Sequence, residues 1–135
     1  MNVFPPLILI VAVFACNLSE RLNIEKIVQD AEEIRDGEKR FFVDNGRYAS
    51  LQELGIFNLV GKEVSDGRDA GFFLELKADK YHYRLSIYPD YSAGVITNED
   101  FQQPSIFCDE TGVLRSSFDP DKRADEHSSE MHPKR

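Results

Sequence analysis

The feature that most constrains the fold is a series of apolar residues spaced by threes and fours: Leu22, Ile24, Ile27, Val28, Ala31, Ile34, Phe41 and Phe42. That spacing is the signature of a helix with one buried face. The opposite face carries Glu25, Lys26, Gln29, Asp30, Glu33, Asp36 and Arg40, and is expected in solvent. Asn17 or Ser19 suits the N-cap, and Asn45-Gly46 supplies a left-handed stop. The predicted helix therefore runs about seven turns. Glu38 stands where one more apolar contact would be expected. Gly37 costs up to ~1 kcal/mol relative to Ala in a helix interior, and marks either a bend or a close packing contact.

A helix with one apolar stripe needs a surface to cover it, and strand signals follow downstream. Ser50 and Glu53 have capping-box spacing and predict a short helical turn ending at Gly55. The polar, glycine-punctuated stretch 61–71 reads as a loop. Phe72, Leu74 and Leu76 then alternate with Phe73, Glu75 and Lys77, the period of a half-buried strand. After a loop at 78–80, Tyr81, Tyr83, Leu85 and Ile87 share one side of a second strand, which Pro89 breaks. Residues 94–97 form a weaker strand candidate. Segments 105–108 and 113–115 flank Asp109-Glu-Thr-Gly112, whose Asp and Gly suit a type I turn in a bulged hairpin. Residues 119–135 are almost devoid of apolar side chains and are expected to be a disordered tail. The prediction is an α+β fold, with a long N-terminal amphipathic helix packed on a three- or four-stranded antiparallel sheet.

The 135 residues suit a single domain. A formal net charge of −8 excludes the basic footprint that a nucleic-acid partner requires. The apolar run 7–15 is too short to span a bilayer as a helix, yet it has the length of a secretory signal's hydrophobic region. Val13-Phe14-Ala15-Cys16 resembles a bacterial lipobox, in which the cysteine is lipidated and becomes the new N-terminus. Val13 and Ala15 equally satisfy ordinary signal cleavage, and an uncleaved short anchor or a core segment are further readings of the run. Residues 1–16 are thus a signal peptide or membrane anchor, 17–118 the folded domain and 119–135 the tail. Export to a bacterial envelope or periplasm, with lipidation at Cys16, is the leading expectation.

Candidate sites are few. Outward-facing Phe73, Tyr88, Tyr91 and Phe101 would form a partner-binding patch if they cluster on one sheet face, unless the 98–104 connection covers them. Asp66 and Asp69 are weak calcium candidates, with Asp119 and Asp121 similar; a plain turn is the simpler reading. His127 and His132, with Asp125, Glu126 and Glu130, read as solvated tail rather than a metal site. His82 reads as a surface residue and Cys108 as a buried strand cysteine, with no basic neighbour in sequence to activate it. A Cys16–Cys108 bridge would need the chain's start to lie against the sheet. No nucleophile–base pair or paired-acid arrangement is visible, so no enzymatic activity and no cofactor are expected, calcium aside.

Together these segments resemble a known family. The helix ending in an aromatic pair, followed by Asn45-Gly46-Arg47-Tyr48-Ala-Ser50-Leu51-Gln-Glu53-Leu54, resembles the segment after the first helix of type IV pilin-like and pseudopilin proteins. Gly71-Phe72-Phe73-Leu74, Tyr81-His-Tyr83-Arg-Leu85 and Phe107-Cys-Asp109-Glu-Thr-Gly112-Val113-Leu-Arg115 resemble that family's strand, hairpin and closing hairpin. The likeness covers roughly residues 18–116. It implies an extracytoplasmic α+β module with a structural or assembly role, working through protein partners that include other pilin-like subunits. The family's opening motif, a basic residue and glycine before Phe-Thr-Leu-Ile-Glu, is not found in residues 1–16, where Cys16 offers a lipid instead. The alternative is a periplasmic lipoprotein binding a small ligand or ion on the same scaffold.

Overall fold

The computed structural model describes residues 4–90, 103–119 and 121–131, with side chains from Asn23 onward. It is an α+β structure: helix α1 (Phe4–Asn45), short helices α2 (Leu51–Ile56) and α3 (Lys62–Ser65), then strands β1 (Arg68–Asp69), β2 (Phe72–Ala78), β3 (Tyr83–Pro89), β4 (Ser105–Asp109), β5 (Arg115–Ser117) and β6 (Ser129–Glu130). Among the described residues the strands pair in chain order as one antiparallel sheet of six, where three or four strands were expected.

Ile27, Ala31, Ile34 and Phe41 form the buried stripe of α1, against Phe72, Leu74, Leu85, Ile87, Ile106 and Cys108 of the sheet. Fully burying side chains of this kind stabilises by ~1.5–3 kcal/mol each, which is what holds helix to sheet. The alternation expected for β2 and β3 is present: Phe72, Leu74, Tyr83, Leu85 and Ile87 point inward. Gly37 is a close packing contact, since a Cβ there would lie 3.3 Å from Leu59 Cβ. α1 passes through Asn17 and Ser19, so neither caps it. Its far end stops as expected, with Gly46 at φ 70° and its N–H donating to the Phe42 carbonyl at 2.8 Å.

The Ser50–Glu53 capping box forms, and Arg47 grips the Glu53 carboxylate with two bonds of 3.0 and 2.6 Å. Gly55 does not end α2. It lets α3 approach, because a Cβ there would sit 2.5 Å from Ser65 Cβ. Stretch 61–71 is not wholly loop. It holds α3 and β1, and Gly67 and Gly71, both at φ 82°, bring Arg68 opposite Phe73. Tyr81, expected in the second strand, lies before it and is exposed, because Asp79 Oδ1 accepts the Tyr81 and His82 N–H groups and holds a turn there. The Asp109–Gly112 turn closes as expected, with Gly112 N–H donating to the Asp109 carbonyl. The 94–97 strand candidate lies outside the described residues.

The reading of 119–135 as a disordered tail is corrected for residues 121–131. β6 pairs with β5, Met131 N–H donates to the Leu114 carbonyl, and Ala124 is buried with its N–H on Ser105 Oγ at 2.7 Å. The segment joins the sheet through backbone bonds, which its polar composition does not encode.

Candidate functional site

Three places carry unusual side-chain chemistry. The first is the sheet face turned away from α1. Register sets Arg68 opposite Phe73, and Phe73 opposite Tyr88. The two rings pack with centroids 5.5 Å apart, so two of the four patch residues do meet. They are not bare. The Arg68 guanidinium lies 4.9 Å from the Phe73 ring and that of Arg123 lies 3.6 Å from Tyr88, while the Tyr88 hydroxyl donates to Glu75. That bond pushes the Tyr88 phenol upward. Phe107, on the same face, is buried beneath Arg84, which pairs in turn with Glu126. The C-terminal segment therefore covers much of this surface. Tyr91 and Phe101 lie outside the described residues.

The second place is the C-terminal end of α1. Phe42 stacks on Tyr48 at 4.7 Å, and Tyr48 meets Tyr83 edge-on at 5.0 Å. Beside them Arg35, Lys39, Phe42, Tyr48, Tyr83 and Glu110 line an open groove of about 480 Å³. Val43 is 78% exposed, and at the end of α2 Ile56 is 76% and Phe57 58% exposed. Phe57 leans edge-on against Phe41 at 5.6 Å. The sequence signal was available: three consecutive apolar residues, 41–43, cannot all face inward on a helix.

Comparison with known proteins leaves the chain by itself. No family model, no curated protein and no solved structure matches it.

The third place is the buried face of α1, where two carboxylic acids sit among the apolar residues. Asp30 is fully buried, contrary to its expected place on the solvated face. Lys26 Nζ is 2.8 Å from Asp30 Oδ1 and 3.0 Å from Asp69 Oδ2 of β1. Burial drives the Asp30 carboxyl well above the ordinary range, whereas hydrogen bonding from Asp30 holds Asp69 below it. Glu38 is also fully buried; its Oε1 accepts the Ala49 N–H at 2.7 Å and its Oε2 has no hydrogen-bond partner among the described residues. Burial raises this carboxyl to about 7, against the Ala49 bond, which lowers it. Neither acid was assigned a role from sequence. The Glu38 gap in the apolar series was the available clue.

Asp66 closes α3, and Asp69 is taken up by Lys26 and Asp30. Among the described residues no group of three or more His, Cys, Asp or Glu could hold a metal ion. Cys108 is a buried thiol 3.7 Å from the Tyr83 hydroxyl, and burial pushes it upward. His82 is exposed and bonds Glu110 at 2.7 Å, which raises its affinity for a proton. Cys16 belongs to α1, and its side chain lies outside the described part; among the described residues no helix is long and apolar enough to cross a membrane.

Proposed function

We propose that this chain is an envelope-tethered, pilin- or pseudopilin-like structural or protein-interaction module of a secretion- or pilus-type system. The observation that carries the reading is a helix with one face buried on an antiparallel sheet, whose far end leaves Phe42 and Val43 exposed, as the end of α2 leaves Ile56 and Phe57. Exposed apolar side chains of this size suit contact with another protein surface. In this reading α1 is a single long helix, a lipid on Cys16 holds the exported chain at the membrane, and the partners include further pilin-like subunits. Its role is structural rather than catalytic.

Two measurements test it. Intact mass spectrometry of membrane fractions is expected to find a chain starting at Cys16 with added acyl mass, lost in Cys16→Ser. Sedimentation of the detergent-solubilised chain is expected to show concentration-dependent self-association, weakened by Val43→Asp. An unlipidated chain retaining Met1 would remove the lipid anchor, and a monomer at every concentration would remove the subunit role. The groove beside Phe42 favours a second reading, a periplasmic lipoprotein that binds a small ligand or ion there.

A further inference from the structure

We propose that Asp30 and Asp69 share a single proton and act as a pH-operated latch between α1 and the first hairpin of the sheet. The latch is closed while the proton is held and loosened when it leaves.

The geometry demands a proton. Lys26 donates to Asp30 Oδ1 at 2.8 Å, but Asp69 Oδ2 lies at ion-pair distance without hydrogen-bond geometry. Among the described residues, the buried Asp30 Oδ2 has no donor, and the buried Asp69 Oδ2 has the Lys26 ammonium alone, at 3.0 Å. Two ionised carboxylates would leave one excess negative charge in a site from which Asp30 is wholly shut off from water. Buried charge of that kind is costly, and so are unsatisfied polar atoms. One proton on Asp30 Oδ2, donated to the Asp69 carboxylate, gives Asp30 Oδ2 its missing partner and the Asp69 carboxylate a second donor beside Lys26. Asp69 then remains the anion that answers Lys26, and the cluster is neutral. The opposite displacements of the two acids, Asp30 upward and Asp69 downward, are those of a pair holding one proton.

Among the described residues, the groups that act on the pair come from the two elements it joins. Lys26 comes from α1, and the Ala70 N–H reaches Asp69 from the hairpin turn. β1 is only two residues long, so its hold on the body is short. Beyond its pairing with β2, that hold includes the Gly67 carbonyl, which accepts the Leu74 N–H at 2.9 Å, and the clasp to α1. Opening the clasp therefore frees this hairpin before it frees the central strands.

The test uses the full chain in a Glu38→Gln background, so that the other buried acid of α1 does not titrate. Folding equilibrium is measured between pH 5 and 8 with and without Asp30→Asn, whose amide donates permanently toward Asp69. With Asp30 present, the unfolding constant is expected to rise up to about tenfold per pH unit through the transition, the limit for one proton. In the D30N variant, whose side chain has no acidic proton to lose, the rise is expected to shrink to the part that His82 contributes in both chains. Parallel curves overturn the proposal. Should D30N fail to fold, carbon NMR titration of the wild-type carboxyls decides the matter. An aspartate titrating near neutrality supports the latch, and both acids titrating below about pH 5, in the ordinary range, overturn it.

Discussion

Glu38→Gln is the most informative single change, because the structure gives both its sign and the order of its size. The wild-type carboxyl is fully buried, with one oxygen on the Ala49 N–H and the other without a hydrogen-bond partner among the described residues. Burial is the main cause that raises it from 4.5 to about 7; Glu53 adds to the rise, and the Ala49 N–H and Arg47 oppose it. A carboxyl that binds its proton more tightly folded than unfolded stabilises the fold only while protonated. That contribution is complete below 4.5, fades as the pH climbs to about 7 and is gone above it. The gap corresponds to on the order of 3 kcal/mol.

Glutamine keeps the oxygen for Ala49 and never ionises. It places an amide group where the protonated acid would place its hydroxyl, so at pH 5 variant and wild type should agree to within about 1 kcal/mol. At pH 8 the variant should be ahead by on the order of 2–3 kcal/mol, or about 10 °C in midpoint for a domain of this size. Circular dichroism melts at half-unit steps from pH 5 to 9 read this directly. If wild type and E38Q lose stability in parallel over that range, the buried carboxylate is not the cause and the reasoning fails.

Other consequences are simpler. Gly55→Ala should destabilise by about 1–3 kcal/mol, because its Cβ would collide with Ser65 Cβ at 2.5 Å. Gly37→Ala should stay within ~1 kcal/mol of wild type, since the helix gain offsets the 3.3 Å contact with Leu59; denaturant midpoints compare the two. Ala124→Asp should cost about 1–3 kcal/mol by forcing a charge into the buried junction with Ser105, whereas a disordered tail would leave the melting point unchanged. At the acid end, Arg47 holds Glu53 down to about 2, so this pair's stabilisation is present above 4.5 and lost as pH falls toward 2. Arg47→Met should therefore lessen the acid sensitivity of the melting point below pH 4.5.

Much of the frame was legible because it is periodic. The stripe Ile27, Ala31, Ile34 and Phe41, the alternation from Phe72 to Ile87, and the turn chemistry of Ser50–Glu53 and Asp109–Gly112 are local patterns with local causes. What escaped was held by backbone pairing or by distant partners. β1 and β6 are two residues each and bury almost no apolar surface, so no hydrophobic pattern announces them. Asp30 reads as solvated in sequence since Lys26 shares its turn; nothing local announces that Asp69, far along the chain, reaches the same lysine. The aromatic patch was half legible. Alternation put Phe73 and Tyr88 on one face, but nothing local announces that Arg68 lies over the first and Arg123 over the second.

That last point bears on where a partner can dock. Read from sequence, the sheet's outer face is the natural surface, being flat and aromatic. In the folded chain its rings are already engaged: Arg68 on Phe73, Arg123 on Tyr88 and Arg84 on Phe107. A partner binding there would first have to displace these arginines and break the Glu126 and Asp90 pairs of Arg84 and Arg68. At the end of α1 no such displacement is needed. Val43 there, and Ile56 at the end of α2, already stand more than three-quarters exposed. Covering them removes apolar surface from water at about 25 cal/mol per Å² without breaking an ion pair. Of the two surfaces, the helix end is the one where association gains most for the least rearrangement.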